Sequence, residues 1–283
     1  MVYLREGTGQ TLEIREHSSS APPDLLGEQL AEFRRRNETM TRVYMSDSRY
    51  DVWLEDVGWF FVDRVNPSIS VPRFSDREWV EAVMWGLPMS LLLLDQGDIV
   101  FHASAVEING RAFLFAAPGG HGKTSLAGAL MAGGHRLLAE DLIRCNLGSD
   151  PSVFPGPALI RLRRDVASQL TIPGTYKVTD DPEKIHLGIE PHLRGDGTPV
   201  PFGALVFLHR GDAIALEKTT DGGALADIWA VTLNLPTPQG RSRCFQQIAD
   251  ISSTVPIWRL TRPLTWESLP KVIELLEQNA YQP

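Results

Sequence analysis

The chain has 283 residues, a formal net charge of −8 at pH 7, 43% hydrophobic residues and 22% charged residues. This composition is typical of a soluble globular protein with one large domain or two smaller ones. The negative charge does not favour duplex nucleic acid or an anionic membrane surface as a partner. No apolar stretch reaches the roughly 18–20 residues of a membrane span, and no export signal is visible. We therefore predict a cytoplasmic protein that binds neither nucleic acid nor membrane.

Residues 1–95 are predicted to form a smaller, mostly β N-terminal domain. The spacing of apolar residues predicts a short amphipathic helix over 23–36, whose basic end is a solvated face. Between residues 42 and 71, short runs rich in Val, Tyr, Trp and Phe are separated by turn residues, which predicts antiparallel strands. Helical spacing returns over 75–94, where Pro88 is expected to kink or restart the helix.

Residues 96–283 are predicted to form an α/β domain. The segment 99–108 alternates like a strand, Asn109-Gly110 fits a type I′ hairpin turn, and a second strand follows to Ala116. A helix is expected from Lys123 to Ala132, and then a buried strand in "HRLLAEDLIRCNL". Further on, "VPFGALVFLHRGD" and "VPIWRLTRP" are predicted strands, and "DGGALADIWAVTLN" and "LTWESLPKVIELLEQN" are predicted helices.

A glycine-rich segment, Ala117-Pro118-Gly119-Gly120-His121-Gly122-Lys123-Thr124, joins the second hairpin strand to the next helix. Its order and spacing are those of a P-loop, with Ala117 at the position of the first glycine. In such a loop, backbone N–H groups and the helix N-terminus bind phosphate, the lysine reaches the terminal phosphates, and the hydroxyl ligates Mg²⁺. The predicted nucleotide-binding residues are Gly119, Gly120, His121, Gly122, Lys123, Thr124 and Ser125.

The acidic pair Glu140-Asp141 follows, with leucines on both sides. We expect it where a strand beside the P-loop strand ends, because the carboxyl ends of parallel strands share one edge of the sheet. One carboxylate can hold Mg²⁺ there and the other can approach an acceptor hydroxyl. A surface turn is the simpler alternative, although the flanking leucines argue against exposure.

Histidines add little by themselves. A lone histidine on an apolar strand, such as His102, is more often a core residue than a catalytic one. His121 lies inside the loop, and the remaining five histidines have no ligand spacing typical of zinc.

The segment "FHASAVEINGRAFLFAAPGGHGKTSLAGALMAGGHRLLAEDL" resembles the catalytic core of the HPr kinase/phosphorylase family and its HPr-kinase-like relatives. The histidine strand, Asn-Gly hairpin, P-loop and acidic strand occur in the same order in that family. The resemblance implies a P-loop-containing mixed sheet related to phosphoenolpyruvate carboxykinase, with ATP and Mg²⁺ as cofactors. It is strong over residues 99–145 and weaker beyond them.

The resemblance also implies roles for individual residues. Lys123 and Thr124 match positions that serve the phosphates and the metal. Glu140 and Asp141 match two aspartates, so the predicted metal ligands are Thr124, Glu140 and Asp141. His102 matches a histidine that supports the catalytic carboxylates. Arg161 or Arg163, and Lys184, match phosphate-facing basic residues; the predicted catalytic residues are His102, Glu140, Asp141 and Arg161.

The resulting hypothesis is an ATP-dependent kinase that phosphorylates a Ser or Thr hydroxyl of a peptide or small protein. The layout is similar to kinases that act on lasso-peptide precursors, and the HPr-specific members are hexamers, which leaves a homo-oligomer open. Two alternatives remain: a kinase of a small-molecule alcohol such as serine or a sugar, and a nucleotide-binding regulatory module without chemistry. Phosphoenolpyruvate carboxykinase activity is a more remote alternative.

Overall fold

The computed structural model describes residues 2–5, 10–18, 27–35, 38–73, 77–180, 183–193, 197–219 and 223–280. The fold is mixed α/β with several sheets. It has two compact units, Met1–Asp98 with Asn234–Arg243, and Ile99–Leu233 with Cys244–Pro283. The predicted division after residue 95 placed 234–243 in the second domain, whereas these residues belong to the first unit. The acceptor-recognition role predicted for residues 1–95 and the catalytic role predicted for residues 96–283 stay predictions.

A seven-stranded sheet forms most of the first unit. Its strands are β1 (Val2–Arg5), β2 (Gln10–His17), β3 (Glu28–Arg35), β4 (Glu38–Met45), β5 (Arg49–Leu54), β6 (Gly58–Asp63) and β7 (Ser68–Pro72). The spatial order is β1-β2-β7-β6-β5-β4-β3, and only β2 and β7 pair in parallel. The antiparallel strands predicted over 42–71 are confirmed.

Two helices, α1 (Arg77–Met84) and α2 (Leu87–Asp95), follow this sheet. Pro88 lies in the first turn of α2, where its missing N–H costs nothing, so the predicted restart of the helix is confirmed. Met84, Leu91 and Leu92 share one hydrophobic cluster with sheet residues such as Phe60.

The helix predicted over 23–36 is wrong over 28–35, where the chain forms β3; residues 19–26 and 36 lie outside the described residues. β3 pairs with β4, and its register shifts between Gln29 and Ala31 and again between Phe33 and Arg34. A bulge adds one residue and breaks the two-residue alternation of side chains. The apolar residues of β3 therefore have a spacing that resembles the spacing in a helix.

The second unit is built on a ten-stranded sheet that includes β8 (Ile99–Phe101), β9 (Ser104–Ile108), β10 (Arg111–Ala116), β11 (Arg136–Glu140), β12 (Ile143–Asn146) and β13 (Ser152–Val153). A separate three-stranded sheet contains β14 (Leu159–Arg163), β15 (Thr175–Asp180) and β16 (Lys184–Ile189). The large sheet is completed by β17 (Val200–Arg210), β18 (Ala215–Lys218), β19 (Thr232–Leu233) and β20 (Ile257–Arg262).

Five α-helices follow β10 in the described part of the chain: α3 (Lys123–Ala132), α4 (Arg164–Ala167), α5 (Gly223–Val231), α6 (Pro238–Thr254), whose first residues lie in the first unit, and α7 (Leu269–Asn279). α3, α5 and α7 confirm predicted helices, whereas α6 was not predicted. No helix in the described part of the chain is long and apolar enough to cross a membrane.

Both faces of the large sheet are buried at β10. Ala112, Leu114 and Ala116 of β10 belong to one hydrophobic cluster with residues of α5 and α6. Phe113 and Phe115 belong to another, with residues of α3 and α7. Successive side chains of a strand point to opposite faces, so β10 is covered on both sides.

Strand direction determines what meets at one edge of this sheet. β10 pairs in parallel with β17, and β17 pairs in parallel with β20. β11 has the same direction as β10, because each is antiparallel to β9, which lies between them. The carboxyl ends of β10, β11, β17 and β20 therefore lie along one edge. The expectation that the acidic strand lies directly beside β10 is wrong, but the shared edge is present.

Asn109 and Gly110 form the tight turn between β9 and β10, with φ of 52° and 76°. Both angles are positive, as a type I′ turn requires, so the predicted hairpin is confirmed.

We expect Gly110→Ala to lower the free energy of unfolding by about 1–2 kcal/mol, because an L residue is strained at positive φ. A Cβ at Gly110 would meet nothing within 4 Å, so the loss would come from the backbone alone. Urea denaturation followed by circular dichroism measures it. Gly148→Ala is the control, because Gly148 has no positive φ; equal stability of Gly110→Ala and the unmodified protein would contradict the prediction.

Candidate active site

The glycine loop, residues 117–124, connects the end of β10 to the start of α3. Gly120 and Gly122 have φ of 78° and 79°, and Gly122 is the N-terminal cap of α3. Both positions need glycine because other residues rarely adopt this conformation. Lys123 folds back and donates a hydrogen bond from Nζ to the carbonyl oxygen of Ala117, at 2.8 Å. Partial burial lowers the pKa of Lys123, and Asp141 and Glu140 oppose that effect.

Two arginines at the ends of neighbouring strands contact carbonyl groups of this loop. Arg210 ends β17 and donates to the carbonyl oxygen of Gly120 at 2.8 Å, and Arg262 ends β20 and donates to that of Gly122 at 3.3 Å. Sequence reasoning missed both residues. The available signal was a basic residue closing each of two predicted strands.

Glu140 ends β11 and contacts the first turn of α3. The hydroxyl of Thr124 donates a hydrogen bond to Oε1 of Glu140, at 2.8 Å. Removal from water, together with the charge of Asp141, raises the pKa of Glu140 to about 7; the Thr124 hydrogen bond opposes this. The Thr124–Glu140 contact joins the glycine loop to the acidic strand.

Asp141 forms a tight turn that interrupts the strand predicted over "HRLLAEDLIRCNL". Its φ is 75°, its N–H donates to the carbonyl oxygen of Ala103, and Leu142 N–H donates back to Glu140. Such three-residue turns with positive φ are rare and strained. The chain leaves β11 at this point and resumes as β12, which pairs with β8 instead.

The side chain of Asp141 lies between Arg161 and His102. Nη1 of Arg161 donates to Oδ2 of Asp141 at 3.0 Å, and Nε2 of His102 is 3.9 Å from Oδ1. His102 lies in a break between β8 and β9, which corrects the prediction of one continuous strand over 99–108. About half of its side chain is exposed, at 53%, so it is not a core residue. Partial desolvation lowers the pKa of His102, and Asp141 opposes the shift.

One cavity of about 480 Å³ collects most of the predicted site. The predicted residues that line it are His102, Gly119, Gly120, Gly122, Lys123, Thr124, Ser125, Glu140, Asp141 and Arg161. Arg163 and Lys184, the other two basic residues matched by the resemblance, line it too, as does Arg262. His121 is the exception. It lines a second cavity of about 430 Å³, which shares only His102 and Gly119 with the first.

The first cavity suits a polyanion. Five basic side chains line it against three acidic ones, although the whole chain carries a charge of −8. It also contains the N-terminus of α3, where backbone N–H groups favour anions.

The oxygen atoms of Thr124, Glu140 and Asp141 are of the kind that Mg²⁺ prefers. Within the described residues, no group of three or more His, Cys, Asp or Glu side chains could hold a metal. A magnesium ion bound here would therefore need ligand and water oxygens, which is usual for Mg²⁺.

Similarity to known proteins is found among solved structures. No family model matches the chain, and no curated protein matches it. One matching solved structure is the Hpr(Ser) kinase/phosphatase from Coxiella burnetii, at 16% identity, covering 64% of this chain and 94% of that chain, with a TM-score of 0.36. A likeness at this TM-score assigns neither a family nor a function to this chain.

The raised pKa of Glu140 predicts pH-dependent stability. Its folded-state pKa of about 7 lies above the ordinary 4.5, so the protonated form is favoured in the folded protein. Stability from this group is present below pH 4.5 and is lost as the pH rises through 7. The loss amounts to at most about 3 kcal/mol.

Glu140→Gln removes the charge and keeps an acceptor for Thr124. In metal-free buffer we expect this variant to be more stable than the unmodified protein at pH 8 and nearly equal to it at pH 5. Urea denaturation at the two pH values measures the difference. A variant destabilised equally at both would show that Glu140 is not held in its protonated form.

Proposed function

We propose that the protein is an ATP-dependent kinase that transfers a phosphoryl group to a Ser or Thr hydroxyl of a peptide or small protein. The observation that carries this proposal is the content of one cavity. It combines a glycine loop at a helix N-terminus, Lys123, the Thr124–Glu140 pair and the partly exposed Asp141. The order of motifs, which resembles that of HPr-kinase-like proteins, supports the same function.

The loop would bind the phosphates. Its positive-φ glycines direct carbonyl groups towards Arg210 and Arg262, which leaves backbone N–H groups for phosphate oxygens. Lys123 would exchange its contact with Ala117 for a terminal phosphate, since a lysine at this motif position reaches the β- and γ-phosphates. When bound, magnesium–ATP would supply the phosphoryl group that is transferred, and its Mg²⁺ would neutralise part of the negative charge of the phosphates.

The two carboxylates have different surroundings, which suggests different roles. Glu140 is hydrogen-bonded to Thr124, so these two side chains would hold the metal together. Asp141 is 42% exposed and pairs with Arg161, so it is the better placed of the two to accept the acceptor's hydroxyl proton. Arg161 would orient this carboxylate and face the transferred group. His102 would act on Asp141 through their 3.9 Å contact.

The acceptor would approach through the second cavity, because that cavity meets the first at His102 and Gly119. A lasso-peptide precursor is the narrower proposal, and it rests on the resemblance in motif layout alone. The relation to phosphoenolpyruvate carboxykinase is likewise a proposal drawn from that resemblance.

Mass spectrometry of candidate Ser and Thr peptides, incubated with ATP and Mg²⁺, tests the proposal. The expected result is the addition of one phosphate to a hydroxyl residue. Release of ADP with small alcohols and with no peptide would identify a small-molecule kinase instead. ATP binding without ADP release across the whole panel would indicate a regulatory module.

Lys123→Ala should reduce turnover about 10²–10³-fold, because a charge that stabilises the transferring phosphoryl group is lost. ADP release coupled to peptide phosphorylation measures the effect. Lys271→Ala on α7 is the control, since Lys271 lies on the helix outside the cavity and should keep normal turnover. Normal turnover of Lys123→Ala would remove the loop lysine from the mechanism.

Asp141→Asn and Glu140→Gln should fail in different ways. The first should bind magnesium–ATP normally and lose about 10²–10⁴-fold in turnover, because the proton acceptor is lost. The second should need more Mg²⁺ for half-maximal activity. Asp165→Asn is a matched control, because Asp165 lines the same cavity, is paired with Arg163 at 3.1 Å and has no assigned role. If Asp141→Asn keeps full turnover, the assignment of the base is wrong.

A further inference from the structure

Arg262 is a buried cation that has no acidic partner among the described residues. Its relative exposure is 3%, and no carboxylate pairs with it within the described residues. Nη2 donates to the carbonyl oxygen of Gly122 at 3.3 Å, Nη1 donates to that of Pro263 at 3.4 Å, and Nε has no acceptor. Burial lowers the pKa of this guanidinium, which agrees with its poor compensation. A buried charge with so few partners destabilises the folded protein, and proteins usually pair buried charges with an opposite charge.

Other arginines at the same cavity are paired. Arg161 contacts Asp141 at 3.0 Å, and Arg163 contacts Asp165 at 3.1 Å. Arg262 is the deeper side chain, and its contacts are two long hydrogen bonds to carbonyl groups. No described residue therefore supplies an anion that would neutralise its charge, and a bound anion could do so.

The position of Arg262 indicates where an anion that neutralises its charge would bind. Its guanidinium lies directly behind Gly122, the cap of α3, where an added Cβ would come within 2.6 Å of Nη2. Glycine at this position thus permits both the positive φ and the close approach of the cation. Arg262 also lines the cavity that contains Lys123 and Thr124. An anion at the N-terminus of α3 would lie close to this charge.

We propose that Arg262 is a positioning residue for a phosphate-bearing ligand of the glycine loop. The ligand's phosphate groups offset its buried charge, and its hydrogen bond joins it to the Gly122 carbonyl oxygen, which also accepts from Leu126 N–H at 2.9 Å. This inference rests on the phosphate-binding part of the proposed function and is independent of the transfer chemistry. A consequence is that the ligand-free protein carries an energetic penalty which an uncharged side chain of similar length would relieve.

The test compares Arg262→Met and Arg262→Lys with the unmodified protein. Isothermal calorimetry with magnesium–ATP and with magnesium–tripolyphosphate measures affinity, and thermal melting without ligand measures stability. Arg259→Met is the matched control, because Arg259 lies on the same strand and does not line the cavity.

For Arg262→Met we expect affinity for both ligands to fall by a similar factor, about tenfold or more, because a charged hydrogen-bonding group is lost. Its ligand-free melting temperature should equal or exceed that of the unmodified protein. Arg262→Lys keeps the charge and should stay within about threefold in affinity. Arg259→Met should bind both ligands normally.

Several outcomes would overturn the proposal. Normal affinity of Arg262→Met would do so, as would a large fall in its melting temperature, which would indicate a merely structural residue. Weaker ATP binding with unchanged tripolyphosphate binding would assign Arg262 to the nucleoside instead. If Arg262→Met does not fold, a loss of affinity of about tenfold or more in Arg262→Lys decides against the proposal. If the unmodified protein binds neither ligand, the proposed function fails together with the role of Arg262. If the unmodified protein binds both ligands and Arg262→Met binds them equally well, only the role of Arg262 fails.

Discussion

The site depends on the backbone conformation of the glycine loop. Two left-handed glycines, Gly120 and Gly122, direct their carbonyl groups to arginines that close the neighbouring parallel strands. Both arginines can reach the loop because β10, β17 and β20 end at the same edge of the sheet. The order and direction of the strands thus determine the chemistry of the loop.

The same edge explains why two adjacent carboxylates can differ. Glu140 is the last residue of β11 and stays within the sheet. There burial raises its pKa, and the hydrogen bond from Thr124 opposes this rise. Asp141 is the turn that ends the strand, so its side chain emerges beside Arg161 and His102. Adjacent carboxyl groups with different surroundings are a common means of separating two roles in one active site. Here the strained turn at Asp141 produces the difference.

Local sequence signals predicted the parts of the fold that depend on neighbours in the chain. The Asn109-Gly110 hairpin, the loop-to-helix motif ending at Lys123 and the apolar stripe of α7 all follow from short-range geometry. The cavity residues were largely predicted for the same reason, because most belong to two contiguous motifs.

Features that depend on distant pairing were missed. The bulge between Gln29 and Ala31 breaks the alternation of β3 and gives this strand the apolar spacing of a helix, and only its pairing with β4 shows that it is a strand. The position of β9 between β10 and β11 is a property of sheet order, which no local pattern encodes. Arg210 and Arg262 reach the loop from 90 and 140 residues further along the chain. α6 buries only a few of its 17 residues, so its apolar signal is weak.

The central claim is that the glycine loop binds the triphosphate of a nucleotide in the presence of magnesium. Isothermal calorimetry of the unmodified protein with ATP, with and without Mg²⁺, tests it most directly. The account predicts one molecule bound per chain, tighter binding with Mg²⁺, and competition by tripolyphosphate but not by adenosine. Absence of binding at millimolar ATP with Mg²⁺ present, or binding that adenosine competes for and tripolyphosphate does not, would contradict it.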